Sequence, residues 1–176
     1  MVTFHGPTAR ARLTPFTRDS LRRALVDQRD PCGVVDDARV LRPGRAKGRV
    51  IGGNLALITA LLGTPFAPNF EGAILIVEDI GEAIYRIDRM LRHLLLAGAL
   101  QQCVAMVAGN FRPPKGESSR DNRTLDDILT EAATRAGIPC LAGAPFGHIA
   151  DQWTIPLGAI AELDTDTRSL RVLPAS

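Results

Sequence analysis

What the chain lacks narrows it first. Among its 176 residues are three cysteines, and Cys32, Cys103 and Cys140 include no CxxC pair. An odd set without that spacing reads as reduced thiols, not as a disulfide framework. His5, His93 and His148 lie far apart in the chain, which gives a metal centre little support. Aromatic residues make up only 5% and the net charge is +2. The arginines are scattered and not interleaved with aromatics, so no nucleic acid or anionic membrane partner is implied. No apolar run approaches the length of a membrane span. The first ten residues, MVTFHGPTAR, lack the apolar core of a signal peptide, so a cytoplasmic location is expected. The glycines at Gly44, Gly48, Gly52 and Gly53 lack the Gly-Lys-Ser/Thr ending of a phosphate loop and the acidic partner of a dinucleotide fold. No cofactor is implied, and no repeat or low-complexity tract is visible.

What is present fits one α/β domain over residues 1–176, with 45% apolar and 23% charged residues. The chain is organised around residues 48–79. Val50 and Ile51 form a short apolar run, and Gly52-Gly53 permits a sharp turn after it. Asn54 can cap a following helix that buries Leu55, Ile58 and Leu62, with Gly63-Thr64-Pro65 stopping it. Ala73 to Val77 is a wholly apolar run bounded by turn signals, the pattern of a strand buried on both faces of a parallel sheet. It ends in Glu78-Asp79. Two acids there stand where open α/β sheets form their sites; equally, one of them could cap a helix starting near Glu82.

Elsewhere the pattern continues in kind. His5-Gly6-Pro7 reads as a plain turn. Residues 17–27 read as a helix with Thr17 as its cap and Leu21, Ala24 and Leu25 on one face. Val34-Val35 and residues 39–41 read as short strands, and the basic residues from Arg42 to Arg49 as a solvated face. The strongest helix spans Glu82 to Ala97, with Ile84, Ile87, Leu91 and Leu94 inward and His93 at the surface or rim. Cys103 to Ala108 is a second buried strand, completing a β–α–β unit. Residues 110–123 form a polar loop. Thr124 and Asp127 make a capping box opening a helix that ends at Gly137, and a third strand covers Ile138 to Ala142. His148 follows a Gly-Ala-Pro-Phe-Gly turn near the sheet edge that carries Glu78. A lone histidine there could be a structural hydrogen-bonder; held by a carboxylate, it is a ready general base. The tail, around Asp164 to Arg168, is a hairpin.

The motifs carry a resemblance. His5-Gly6-Pro7, Gly52-Gly53-Asn54-Leu55, Gly63-Thr64-Pro65, and Leu75 to Asp79 leading to Tyr85-x-Ile87-Asp88-Arg89-Met90-Leu91 come first in the chain. Gly109-x-Phe111, Pro145-x-Gly147-His148 and Pro156-Leu157-Gly158 follow. Together they resemble the C-terminal domain of the LD-carboxypeptidase family, serine peptidases of the S66 type that include microcin C self-immunity proteins. The resemblance implies a swivelling β/β/α domain, a parallel sheet packed on a smaller antiparallel one with helices outside. It also implies a Ser-Glu-His triad whose glutamate falls on Glu78 and whose histidine falls on His148. The implied reaction removes the terminal D-alanine of a murein tetrapeptide in cytoplasmic wall recycling; an aminoacyl-nucleotide conjugate is also compatible with the family.

The family's nucleophile and oxyanion hole lie in an N-terminal, flavodoxin-like domain that precedes the His-Gly-Pro segment. None of Ser20, Ser118, Ser119, Ser169 and Ser176 sits in a glycine-flanked strand-to-helix elbow. The chain is therefore expected to be the C-terminal domain alone, inactive by itself. It could instead be a non-enzymatic binding domain or one half of a split enzyme. Composition does not separate a homodimer surface from the surface where a missing domain docks.

Overall fold

A computed structural model describes residues 2–114 and 123–174 of the chain. The strands are β1 (Thr3–His5), β2 (Gly33–Val34), β3 (Arg39–Arg42), β4 (Arg45–Asn54), β5 (Ala73–Ile80), β6 (Ala105–Arg112), β7 (Cys140–Ala142), β8 (Ile155–Leu157), β9 (Ile160–Asp164) and β10 (Ser169–Val172). The helices are α1 (Pro15–Arg22, extended by a π-helical turn over Arg23–Asp27), α2 (Leu55–Ala60), α3 (Ile84–Leu96), α4 (Ala99–Gln102) and α5 (Leu125–Ala136).

Eight strands make one mixed sheet in the order β2-β10-β9-β4-β5-β6-β7-β3, and β1 pairs antiparallel with β8 apart from it. The central strands β4, β5, β6 and β7 run parallel. The fold is thus α/β, with a parallel centre and antiparallel flanks. The C-terminal hairpin β9-β10 continues the same sheet, because β4 is longer than its apolar run. Its basic start, Arg45 to Arg49, pairs antiparallel with β9, and its end, Arg49 to Asn54, pairs parallel with β5. The charges of that start do lie in solvent: Arg45 meets Asp164 and Asp166, and Lys47 meets Glu162.

Period-two alternation builds the two cores. Leu75, Val77, Met106 and Ala108 face α2, α3 and α5, where Leu55, Ile87, Leu91, Leu94, Ile128 and Leu129 are buried. Ile74, Ile76, Ala105 and Val107 face the opposite way, onto Phe146, Trp153, Ile155 and Leu163. Each fully buried large side chain contributes about 1.5–3 kcal/mol of transfer free energy. Helices cover one face; loop 143–154 and β8 cover the other, where the hairpin strands add Leu163 and Leu170 to the same core.

Several local expectations change. Gly52 and Gly53 are not a turn: β4 runs through them to Asn54. Glycine is required there for a different reason, since a Cβ on Gly52 would collide with the Ile76 carbonyl oxygen and its φ is +130°. Asn54 caps α2 as expected, accepting from the Leu57 N–H at 3.1 Å. The cap of α1 is Thr14, not Thr17, with Pro15 opening the helix. The face that α1 buries is polar, Thr17 and Ser20, while Leu25 is exposed. The Thr124–Asp127 capping box and the left-handed Gly137 bound α5 as expected, and His93 is exposed on α3. Most of the polar loop after Asn110, Ser118 and Ser119 included, lies outside the described residues; its first three residues, Asn110 to Arg112, belong to β6.

Candidate active site

Glu78 and Asp79 lie inside β5, not after it, because the strand runs on to Ile80. Both acids are buried, and as strand neighbours they point to opposite faces. Asp79 faces the helices. It accepts from the Ala56 N–H at 2.9 Å, from Asn54 Nδ2 at 3.1 Å and from the Ile80 N–H at 2.8 Å. An acid at that place satisfies an orphan donor in the first turn of α2 and meets the positive end of its dipole. It is a helix cap, but for α2, not for the helix after it; α3 has Ala83 at its N-cap, with no side-chain cap.

Glu78 faces the other way and meets His148. His148 Nδ1 lies 3.0 Å from Glu78 Oε2. The carboxylate side chain is 3% exposed and the imidazole 54%, so the carboxylate is enclosed by the protein while the imidazole opens to solvent. A register shift in the β5–β6 pairing between Val77 and Asp79 sets Gly109 and Asn110 against Glu78. Such irregularities re-aim side chains at site edges.

The loop that carries His148 is held from three sides. Phe146 is fully buried, and Gly109 gives it room, since a Cβ there would lie 2.6 Å from the Phe146 ring. Gly147 sits at φ +102°, and a Cβ on it would lie 2.9 Å from Glu78 Oε2. Only glycine lets the chain pass this close to the carboxylate. The third hold comes from α1. Thr17 Oγ1 donates to the Ala150 carbonyl at 2.7 Å and accepts from the Gln152 N–H at 3.0 Å. Ser20 Oγ donates to the Pro31 carbonyl at 2.7 Å and accepts from the Thr154 N–H at 2.8 Å. The buried hydroxyls of α1 are thus the clamp for residues 150–154.

The pair opens into a cavity of about 590 Å³ lined by His5, Glu78, Ile80, Arg112, His148 and Gln152, among others. In sequence His5 reads as part of a turn and of the His-Gly-Pro motif, with no site role attached. It ends β1, whose pairing with β8 sets it opposite Ile155, and its ring meets Phe146 edge-on at 5.8 Å. Burial lowers its pKa; the Glu78 carboxylate opposes that shift and His148 adds to it. Short-range sequence pattern held no sign that His5 would reach this site, since only the β1–β8 pairing carries it there. Among the described residues, no group of three or more His, Cys, Asp or Glu side chains converges as a metal site would need. Nor is any helix among them long and apolar enough to cross a membrane.

A buried carboxylate holding a solvent-facing imidazole at the end of a parallel sheet is an arrangement suited to acid–base work. The chain belongs to the LD-carboxypeptidase family: residues 47–163 match the family's C-terminal domain. It is 34% identical over 174 residues to the probable murein peptide carboxypeptidase of Bacillus subtilis, covering 94% of this chain and 54% of that protein. It is 35% identical over 124 residues to the murein tetrapeptide carboxypeptidase of Pseudomonas aeruginosa, covering 68% of this chain and 39% of that one. Among solved structures, the muramoyltetrapeptide carboxypeptidase of Oxalobacter formigenes superposes with a TM-score of 0.82 at 32% identity, over 97% of this chain and 60% of that one. The microcin C7 self-immunity protein MccF shares the fold, with a TM-score of 0.82 at 23% identity over 100% of this chain and 62% of that chain. The chain spans about half the length of the curated relatives it matches.

Proposed function

We propose that this chain supplies the base and the orienting acid of a Ser-Glu-His triad, and that a preceding nucleophile domain completes it as a cytoplasmic L,D-carboxypeptidase. The observation that carries this reading is the 3.0 Å approach of His148 Nδ1 to the buried Glu78 carboxylate, with the imidazole facing the cavity. Glu78 accepts a hydrogen bond from Nδ1–H, which leaves Nε2 as the unprotonated nitrogen. Nε2 takes the proton of the serine hydroxyl as its oxygen attacks the scissile carbonyl. The same proton then passes to the leaving amine, and an acyl-enzyme remains. Water repeats the cycle and frees the shortened peptide. Glu78 stays ionised throughout and stabilises the imidazolium as it forms.

The substrate that fits best is a murein tetrapeptide losing its terminal D-alanine, because the relatives named for murein peptides match this chain at 34% and 35% identity. The chain alone is inactive on this account, since neither nucleophile nor oxyanion donors come from the residues assigned here, and such donors are worth about 100-fold or more in rate. The test is release of D-alanine from murein tetrapeptide, by the chain alone and by the chain joined to the nucleophile domain of the Bacillus subtilis relative. Release by the joined protein and none by the chain alone is the expected result. Turnover by the isolated chain, or none from a folded joined protein, would overturn the proposal.

A further inference from the structure

Among the described residues, four titratable side chains line the cavity: His5, Glu78, Arg112 and His148. Three are already engaged. Glu78 is held by His148, and His5 is turned toward its neutral form by burial. Arg112 is different. It is exposed at the end of β6, and its guanidinium takes no hydrogen bond or ion pair with any described residue. Its backbone is tied to the sheet edge, the carbonyl accepting the Gly81 N–H at 2.8 Å. The other cationic groups of this size that have close acids are tied down, as Arg39 is to Asp126 and Arg92 to Asp88. An arginine without a partner among the described residues, on the wall of a cavity that already holds a carboxylate–imidazole pair, has a fork of donors to offer.

The geometry points to Arg112 as the anchor for the free terminal carboxylate of the peptide, an inference that rests on the carboxypeptidase reading above. Arg112 pairs with Ile80 across β5 and β6, and paired residues of neighbouring strands point to the same face. Glu78 lies two residues before Ile80, again on that face. Strand rise and strand spacing then put the Cα of Arg112 about 8 Å from that of Glu78. In a C-terminal residue, the scissile carbonyl and the free carboxylate are separated by about one residue length, ~3.8 Å. A base held by Glu78 and an extended arginine two positions away bracket such a unit. The guanidinium matches a carboxylate bidentately, which an ammonium does not. Ile80 lies between them as an apolar wall of the same cavity, suited to a small side chain such as a methyl. The class of ligand is therefore a peptide ending in a small residue with a free carboxylate, selected against an internal or amidated one.

The test titrates the chain with N-acetyl-L-lysyl-D-alanine and with its C-terminal amide, following the His148 ring and the Arg112 Nε–H by NMR. The expected result is tighter binding of the acid by about tenfold, the value of one charge-assisted contact. Arg112→Gln should remove that preference while leaving affinity for the amide and the folded spectrum unchanged, and Arg112→Lys should restore part of it. An acid preference that survives Arg112→Gln, equal binding of both ligands by the wild type, or no shift with either ligand would overturn the anchor. D-alanine release by the joined protein separates the two ideas. Undiminished release with Arg112→Gln rejects the anchor and keeps the carboxypeptidase. An Arg112-dependent acid preference without release from the wild type keeps the carboxylate site and rejects the carboxypeptidase.

Discussion

The two faces of the sheet at the end of β5 use the same chemistry to opposite ends. On the helix face, Asp79 is buried and accepts from Asn54, Ala56 and Ile80, all within the protein. On the cavity face, Glu78 is as deeply buried but its partner His148 is half open to solvent. The difference lies in what packs above each acid. Asp79 meets the start of α2, whose amides need an acceptor whatever the protein does. Glu78 meets a loop that glycine and two buried hydroxyls hold in place, at the rim of a cavity. One acid is enclosed by protein groups; the other holds an imidazole that opens to solvent.

The comparison breaks most sharply on activity. In the joined protein, Glu78→Gln should lower kcat by about 10,000-fold, because glutamine keeps the shape but holds the wrong imidazole tautomer. His148→Ala should cost at least as much. Asp79→Asn should leave the rate near wild type while lowering stability by about 1–2 kcal/mol, read from urea denaturation, since it weakens charge-assisted bonds to α2. A rate loss with Asp79→Asn as deep as with Glu78→Gln would erase the distinction between the two faces.

Next in size is the loop itself. Gly147→Ala should push the chain away from the Glu78 carboxylate, lower kcat by about 100-fold and cost about 1–3 kcal/mol. Unchanged rate and stability would show that the close approach at Gly147 is not what sets the pair. Ser20→Ala tests the clamp from α1. It leaves the Thr154 amide and the Pro31 carbonyl without their partner, so a loss of about 1–3 kcal/mol is expected; a loss as small as at an exposed serine would remove α1 from the account.

The smallest effect concerns pH. Unfolded, His5 binds a proton near its ordinary 6.5, whereas in the fold burial lowers that value. Between the two values the unfolded state holds more protons, so stability should fall as pH drops below about 6.5. Replacing His5 by Gln should flatten that part of the urea midpoint-versus-pH curve, and an identical curve would contradict the assignment.

How far the sequence carries these features depends on how local their causes are. The β5 run, the α3 stripe and the Thr124–Asp127 box depend on neighbours within a few positions, and each stands where the pattern put it. The meeting of Glu78 with His148 was expected from two apolar strands ending at one sheet edge and from the family resemblance. His5, Arg112 and the Thr17–Ser20 clamp were not. Each acts through a partner more than 100 positions away or across a strand pairing, and no periodicity records such distances. The polar face of α1 went against the usual expectation for the same reason. Its spacing suggests Leu25 as the buried side, whereas Thr17 and Ser20 are inside because a loop from the far end of the chain needs their hydroxyls.

The central claim is that Glu78 fixes the tautomer of His148. Long-range proton–nitrogen correlation of the His148 ring, recorded where the imidazole is neutral, reads that directly on the isolated chain. The proton should sit on Nδ1 and Nε2 should be free, and Glu78→Gln should shift the balance toward the Nε2–H form. A ring protonated on Nε2 in the wild type, or a tautomer that Glu78→Gln leaves untouched, would contradict the account.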